Sequence, residues 1–353
     1  MNGTSLDAVD FALIQCDDKF KNVKFLKHTQ KNLPPKLKAQ LLKAARDQSS
    51  TYDLSQCHFD LGRFYGIQGK KLSKTWKFDL IGIHGQTVHH EGGKASLQIG
   101  HPGFISEACN KPVIFDFRSP DIVANGEAAP FAPFFQKHIR DQLKLGTVAF
   151  HNLGGISNLT LFKSKQSFAF DTGPANILLD AWLMKRKKIA FDKDGKISAK
   201  GIPDPLLVNE FLKHPYYKKK FPKSTGREDF NLDYIEHYGG LRFKRLSLED
   251  QMATLTEVTA LSIKKAYALT KNKPESIYFY GGGTQNPFLM ERIQFHMSST
   301  KILLTDDLNW PTQAFEASTF AFLAAARYYN RKVHLPKITG AKTTKNLGSL
   351  YGW

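Results

Sequence analysis

Asp171 is the residue of this sequence best placed to do chemistry. It closes the apolar run Ser167 to Phe170 and precedes Thr172-Gly173-Pro174, a pattern that predicts a strand running straight into a helix start, with the helix continuing through Trp182. A carboxylate at that junction would lie beside the partial positive charge of the helix N-terminus, which keeps it ionised and ready to accept a proton. A plain helix cap uses the same residue types. Three glycine-bearing turns are the second source of chemistry. Gly3-Thr4-Ser5-Leu6-Asp7-Ala8-Val9-Asp10 gathers small residues, hydroxyls and carboxylates, as a phosphate-cradling hairpin needs. Gly281-Gly282-Gly283-Thr284-Gln285-Asn286 follows an apolar run and precedes a helical pattern. Bare backbone there admits a flat or anionic ligand, and the helix N-terminus favours negative charge. Asn152-Leu153-Gly154-Gly155-Ile156-Ser157-Asn158 reads as a phosphate hairpin or simply a hairpin. Each turn alone is a tight connection as readily as a binding loop; the three together are harder to dismiss. Neither Gly-x-x-x-x-Gly-Lys-Ser/Thr nor Gly-x-Gly-x-x-Gly is present, so the ordinary nucleotide fingerprints are excluded.

Other chemistry-bearing residues carry less. Glu316 falls early in an alanine-rich apolar pattern, where a carboxylate needs a partner or a ligand, or serves as a helix-start charge. His84, His89, His90 and His101 match neither a helical i, i+4 pair nor a zinc ribbon, so no metal site is expected from them. Asp192-Lys193-Asp194-Gly195 resembles the start of a calcium loop but lacks the twelfth-position Glu and reads as a turn.

The elements that must position these residues follow an α/β pattern: a short apolar run, a Gly-rich turn, then a helical stretch. Phe78 to Ile83 and Pro112 to Phe117 read as strands ending in His84-Gly85-Gln86-Thr87 and Asp116-Phe117-Arg118. Thr147 to Phe162 predicts a hairpin about Gly154-Gly155. Ser276 to Tyr280 predicts a strand; Ala253 to Leu269, Phe288 to Phe295 and Phe315 to Tyr329 predict helices. The tail from Lys332 is expected to be irregular.

A chain of 353 residues, 41% hydrophobic, is long enough for two core-bearing lobes. The expected division is 1–133, joined by the tail 331–353, and 134–330. No apolar run approaches the roughly 20 residues of a membrane span, and a soluble cytoplasmic protein is expected. Cys16, Cys57 and Cys109 form no CxxC pair, so reduced thiols are expected. The net charge of +18 favours polyanions. Its lysines and arginines are scattered, however, and the clusters 185–188 and 218–220 are not interleaved with stacking aromatics, so a basic solvated surface and no nucleic-acid partner are expected.

The ordered motifs carry a resemblance. Gly3 to Asp7, His84-Gly85-Gln86-Thr87, Gln98-Ile99-Gly100, Asp116-Phe117-Arg118, Asn152 to Thr160, Phe170-Asp171-Thr172-Gly173-Pro174, Pro222 to Glu228, Gly281-Gly282-Gly283, Glu316-Ala317 and Leu335-Pro336-x-x-Thr339-Gly340-Ala341 come in the order of the anhydro-N-acetylmuramic acid kinases, which this chain resembles along nearly its whole length. The resemblance implies a two-domain actin/hexokinase-like (ribonuclease H-like) α/β fold with a central interdomain cleft, a homodimer, and ATP with magnesium as cofactors. It implies a double reaction on a small sugar substrate: water opens the 1,6-anhydro bridge while the released O6 takes the γ-phosphoryl group, giving N-acetylmuramic acid 6-phosphate for peptidoglycan recycling. It makes Asp171 the catalytic base. Gly3, Thr4, Ser5, Leu6, Asp7, Ala8, Val9, Asp10, Asn152, Gly154, Gly155, Gly281, Gly282 and Gly283 become ATP-binding residues, with Asp7 holding the metal through water. Thr87, Arg118 and Glu316 become sugar-holding residues. The alternatives are another sugar kinase or ATPase of the same fold and an inactive polyanion-binding relative.

This sequence departs from the family pattern in three places. A short apolar strand should precede the first glycine turn, whereas the sequence begins at Met1-Asn2 and has Ala8 where the family has glycine; the expectation is that the start given is a late one. Asn125 to Phe131 is less glycine-rich than the family pattern, and Ala175 replaces a glycine. Both add side chains near the expected cleft and could alter substrate range.

Overall fold

The structure, a computed structural model, describes residues 1–2, 8–164, 166–221 and 223–352. It divides into two compact units, Met1–Leu143 with Ala314–Trp353, and Lys144–Gln313. The expected boundaries at 133 and 330 differ from this by two helices, Ala132–Gln142 and Phe315–Tyr328. Both lie in the first unit because their aromatic faces pack on each other, Phe135 standing 5.3 Å from Phe315 and 5.2 Å from Phe322 between ring centroids.

In the first unit β1 (Ala8–Gln15) pairs antiparallel with β2 (Lys24–Asn32). Strand β3 (Ile81–Gly82) is followed by a hairpin of β4 (Gln86–Glu91) and β5 (Ala95–Ile99). Strand β6 (Val113–Phe115) lies parallel to β3. Val9, Leu37, Leu41, Leu61, Ile83 and Val113 are among the residues of the core beneath them. The helix Thr51–Ser73 that supplies Leu61 is started by Ser50, whose hydroxyl accepts the Asp53 N–H at 3.1 Å.

The first unit's strands form separate sheets, and β1 and β3 are each an edge. A cavity of about 510 Å³ is lined by both, with Ala12, Leu13, Ile14, Ile81, Gly82 and Ala324 on its walls. Met1 stands on the β1 side: its amino group donates to Asp10 O, and the Asp10 N–H donates to Met1 O, both at 2.8 Å. That is one antiparallel rung against β1, opened by a buried ammonium whose pKa burial lowers to about 6.

The second unit holds β7 (Val148–Leu153), β8 (Ile156–Lys163), β9 (Gln166–Pro174), β10 (Ser276–Tyr280) and β11 (Lys301–Leu304). The spatial order is β11-β10-β7-β8-β9. An antiparallel meander β7-β8-β9 carries β10 and β11 parallel to its first strand, which is the ribonuclease H-like arrangement. The helix Leu248–Leu269 packs Met252, Leu255, Val258 and Ile263 into the two cores of this unit. Its start is set by Ser247, whose hydroxyl accepts the Asp250 N–H at 3.0 Å.

Two expectations need correcting. The strand leading to Asp171 does not stop there: β9 runs on through Pro174 and the helix begins at Asn176, because Ser157 and Ile156 of β8 continue the ladder opposite Gly173 and Pro174. Nor is the tail irregular throughout. Pro336–Thr339 is a helical turn, and β12 (Ser349–Tyr351) pairs antiparallel with β6. Its apolar residues are too few for a sequence signal, yet β6 offers it a free edge.

Candidate active site

Asp171 lies within β9, at a bulge. Asn158 faces Asp171 and Ser157 faces Gly173, so Thr172 is the extra residue; a bulge of this kind bends the strand and re-aims the side chains beside it. The Thr172 hydroxyl holds the bulge by bonding Ser157 Oγ at 2.6 Å, and Ser157 Oγ meets His151 Nε2, also at 2.6 Å. His151 Nδ1 completes the chain at Tyr267 Oη, 3.1 Å away. Burial pushes the His151 pKa down to about 3, so the ring is neutral, and one nitrogen donates while the other accepts.

The Asp171 carboxylate accepts the Thr225 N–H at 3.0 Å. Its own N–H donates to Lys223 O at 3.1 Å, and its carbonyl accepts the Tyr216 hydroxyl at 2.6 Å. Densely packed surroundings with only a partly open face raise its pKa to about 7. Burial is the main cause; Glu228 adds to it, while the Thr225 N–H and the Lys223 ammonium work against it. The physics is the reverse of the helix-terminus expectation: Asp171 is no helix cap, and burial makes it avid for a proton rather than firmly ionised. That suits a general base better, because a base titrating near neutrality drives proton transfer harder than one titrating near 4. Lys223 donates to Tyr216 O at 3.2 Å and stands 4.4 Å from the Tyr216 ring centroid; burial lowers its pKa to about 8. Lys223, Thr225, Glu228 and Tyr216 had no assigned role in the sequence reading, although 223–228 lies within a quoted motif. Their signal is spatial, since about 45 to 57 positions of chain separate them from Asp171.

The glycine turns of the second unit come together. The Gly154-Gly155 turn is tied to the next helix by Asn176, whose side chain donates to Gly154 O at 2.8 Å, and by the Ala175 N–H, which donates to Gly155 O at 2.9 Å. Gly281 has φ +91°, and a Cβ there would lie 2.3 Å from Asn152 Oδ1. A Cβ on Gly283 would lie 2.7 Å from Leu153 Cβ and 3.1 Å from the Asn176 amide nitrogen. Asn152, Gly154, Gly155, Gly281 and Gly283 therefore share one cluster with Asn176, which the sequence reading missed. A Cβ on Gly282 would meet nothing within 4 Å. That is an open flank of bare backbone, the shape a flat or phosphorylated ligand needs.

In the first unit, Gly3, Thr4, Ser5, Leu6 and Asp7 lie outside the described residues. Ala8, Val9 and Asp10 belong to β1 rather than to a turn, because each is paired in register with β2. Val9 is buried in the core. The Asp10 carboxylate is held by His28 at 2.8 Å and Gln30 at 2.9 Å, so its Oδ1 is already satisfied and is poorly suited to hold a cation directly. The residues expected on the sugar side are better defined. Arg118 donates through Nη1 to Ala128 O at 2.8 Å and through Nη2 to His84 Nε2 at 3.3 Å. His84 donates through Nδ1 to Gly85 O at 3.0 Å, which leaves Nε2 as the acceptor; burial and the neighbouring guanidinium push its pKa well below the usual value. No carboxylate neutralises Arg118 among the described salt bridges, and its buried Nε has no hydrogen-bond partner among the described residues. A buried guanidinium in that state calls for an oxygen-rich ligand. Thr87 Oγ1 accepts from Gln98 at 3.3 Å. Glu316 lies in the first turn of Phe315–Tyr328; one turn on, Phe320 packs 4.4 Å from the His84 ring. Among the described residues no His, Cys, Asp or Glu cluster could hold a metal ion, and no helix is long and apolar enough to cross a membrane.

Comparison with known proteins agrees with these motifs. A family model described as anhydro-N-acetylmuramic acid kinase matches residues 1–352. The protein of that name from Idiomarina loihiensis is 35% identical over 360 residues, covering 99% of this chain and 96% of that one. The one from Pseudomonas syringae pv. tomato is 35% identical, covering 99% and 97%, and the one from Sulfurimonas denitrificans is 34% identical, covering 99% and 98%. Among solved structures, a ROK family glucokinase from Streptomyces griseus is 10% identical with a TM-score of 0.37, covering 89% of this chain and 96% of that one, too loose a likeness to bear on fold or function. With a whole-length family match and relatives at this identity, the chain belongs to the anhydro-N-acetylmuramic acid kinase family.

Proposed function

We propose that the protein opens the 1,6-anhydro ring of anhydro-N-acetylmuramic acid with water and phosphorylates O6 at the expense of ATP, giving N-acetylmuramic acid 6-phosphate in cytoplasmic cell-wall recycling. The observation that carries this reading is Asp171 itself, a carboxyl with its pKa raised to about 7, held on a bulged strand by the Thr225 amide. Asp171 takes one proton from the attacking water as its oxygen bonds to the anomeric carbon. The bond from that carbon to the bridging oxygen breaks, and the bridging oxygen, now O6, bonds to the γ-phosphorus of ATP as the bond from that phosphorus to the ADP oxygen breaks and ADP leaves. Ordinary glycoside hydrolysis also needs an acid to protonate the leaving oxygen; capture by phosphorus replaces that acid, so a single base suffices. ATP supplies the phosphoryl group, and magnesium supplies charge neutralisation to its phosphates.

The open backbone at Gly282 between Gly281 and Gly283 fits the nucleotide, with Asn152, Gly154, Gly155 and Asn176 fixing the cradle. In this reading Gly3 to Asp7 continue the phosphate contacts and Asp7 orients the metal through water. Arg118, Thr87 and Glu316 hold the sugar, Arg118 meeting its carboxylate or hydroxyl oxygens. The working form is a homodimer. Incubation with ATP, magnesium and the anhydro sugar in ¹⁸O-labelled water should yield ADP and a 6-phosphorylated reducing sugar labelled at C1. ATP turnover that leaves the anhydro ring intact would sink the reading.

A further inference from the structure

Arg118 does not take its place by itself. Its Nη1 rests on the carbonyl of Ala128 at 2.8 Å, and Ala128 is a non-glycine residue with φ +55°, a conformation that persists only when its neighbours enforce it. The Ala128 N–H donates to Asp121 Oδ2 at 2.7 Å, and Asp121 is fully buried. The other carboxylate oxygen is met from the far end of the chain: the Thr339 hydroxyl donates to Oδ1 at 2.7 Å, and His334 Nε2 lies 2.5 Å from it. His334 Nδ1 accepts the Lys345 N–H at 3.1 Å, so Nε2 is the nitrogen that carries a proton, and it faces the carboxylate. Phe134 packs edge-on against the same ring, with centroids 5.3 Å apart.

Backbone bonds run in parallel with this cluster. The Glu127 N–H donates to Thr339 O at 2.7 Å, and the Lys342 N–H donates to Ala124 O at 2.8 Å. The segment from His334 to Lys345 thus grips the loop from Ala124 to Ala128 along its length. Nothing in the proposed chemistry uses these residues, and a buried carboxylate with three donors is more machinery than a chain end needs to dock.

We infer that Asp121, Thr339 and His334 are positioning residues for the sugar-binding arginine: the C-terminal segment, through the buried Asp121 carboxylate and the Ala128 peptide, sets where the Arg118 guanidinium points. The inference rests on the proposed sugar-holding role of Arg118. Loss of the Thr339 hydroxyl removes one of three donors and leaves the buried carboxylate under-satisfied. The strained Ala128 peptide relaxes, and Arg118 loses its carbonyl anchor.

The test compares Thr339→Val, Thr339→Ser and Arg118→Lys in the full chain, reading melting temperature, KM for the anhydro sugar and KM for ATP. Thr339→Val should raise the sugar KM about five- to tenfold, within the effect of one ordinary hydrogen bond, with the ATP KM unchanged. Thr339→Ser should restore the parent value. A merely structural role would lower the melting temperature of Thr339→Val and leave the sugar KM within about twofold of the parent, which would overturn the inference. If Arg118→Lys also leaves the sugar KM unchanged, the sugar-holding reading fails with it. A crystal structure of Thr339→Val separates the two independently of any substrate: an Arg118 Nη1 to Ala128 O bond kept at its parent length refutes the positioning role, and a displaced guanidinium supports it.

Discussion

Replacing Asp171 with asparagine should give a protein that is more stable and nearly inactive, with the two effects sharing one cause. In the folded protein the Asp171 carboxyl binds its proton with a pKa of about 7, against 3.8 for an ordinary aspartate, chiefly because it is buried. The folded state therefore holds the proton more tightly than the unfolded chain. Below pH 3.8 the group is neutral in both states and imposes no penalty. As pH rises from there to about 7, the unfolded chain ionises freely while the folded one resists, so stability falls; above about pH 7 the loss is constant. A shift of about three units is worth about 4 kcal/mol, an upper figure for a group that keeps a partly open face. The asparagine side chain cannot ionise, and its carbonyl oxygen can still accept the Thr225 N–H. Asp171→Asn should thus exceed the parent by as much as about 4 kcal/mol at about pH 8.5, with the gap narrowing toward about pH 4. Its turnover should drop about 10²- to 10⁴-fold, the usual worth of a general base. Denaturant unfolding at about pH 5, 7 and 8.5, run beside ADP release, reads both quantities. The parent's kcat/KM should climb through an apparent pKa of about 7 at low substrate. Equal stability of the two proteins at every pH, or a rate profile already flat from about pH 5, would refute the reasoning.

Three further perturbations test the nucleotide cradle and the first unit. Gly281→Ala forces a side chain onto φ +91° and against Asn152 Oδ1, so unfolding experiments should show a loss of about 1–3 kcal/mol. Gly282→Ala meets no protein atom within 4 Å; it should melt like the parent yet raise the KM for ATP, and an unchanged KM would remove the turn from the nucleotide site. An apolar, β-branched extension of about seven residues ahead of Met1, long enough for a typical strand, would replace the buried ammonium with an amide and offer backbone groups to the β1 and β3 edges. Calorimetry should show a higher melting temperature than for the parent or for a Gly/Ser extension of equal length; equal melting of all three would mean the cavity between those edges does not accept a strand.

Much of the framework was legible because it is written in local pattern. The strand Ser276–Tyr280 has the residue types and length of a buried parallel strand, and Phe315–Tyr328 has the alanine-rich composition of a helix packed on several sides. Gly154-Gly155 fell where a hairpin must turn. What misled was Thr172-Gly173-Pro174, which carries cap and N1 residue types but is held extended by β8; cross-strand pairing outweighs a local preference of about 1 kcal/mol. The tail misled for the same reason. Its short β12 has little propensity of its own and exists because it pairs with the β6 edge that β3 leaves open.

By itself, then, the sequence determined the family, the α/β alternation and the glycine turns, and it singled out Asp171 as the candidate proton acceptor, since all of these rest on residue type and order. Only the tertiary structure decided what that acceptor is like. Its raised proton affinity comes from burial, with Glu228 adding to it and the Thr225 N–H and the Lys223 ammonium opposing it, and Arg118 owes its setting to a carboxylate gripped by residues more than two hundred positions away. Desolvation and hydrogen bonding act through space, so no reading along the chain contains them.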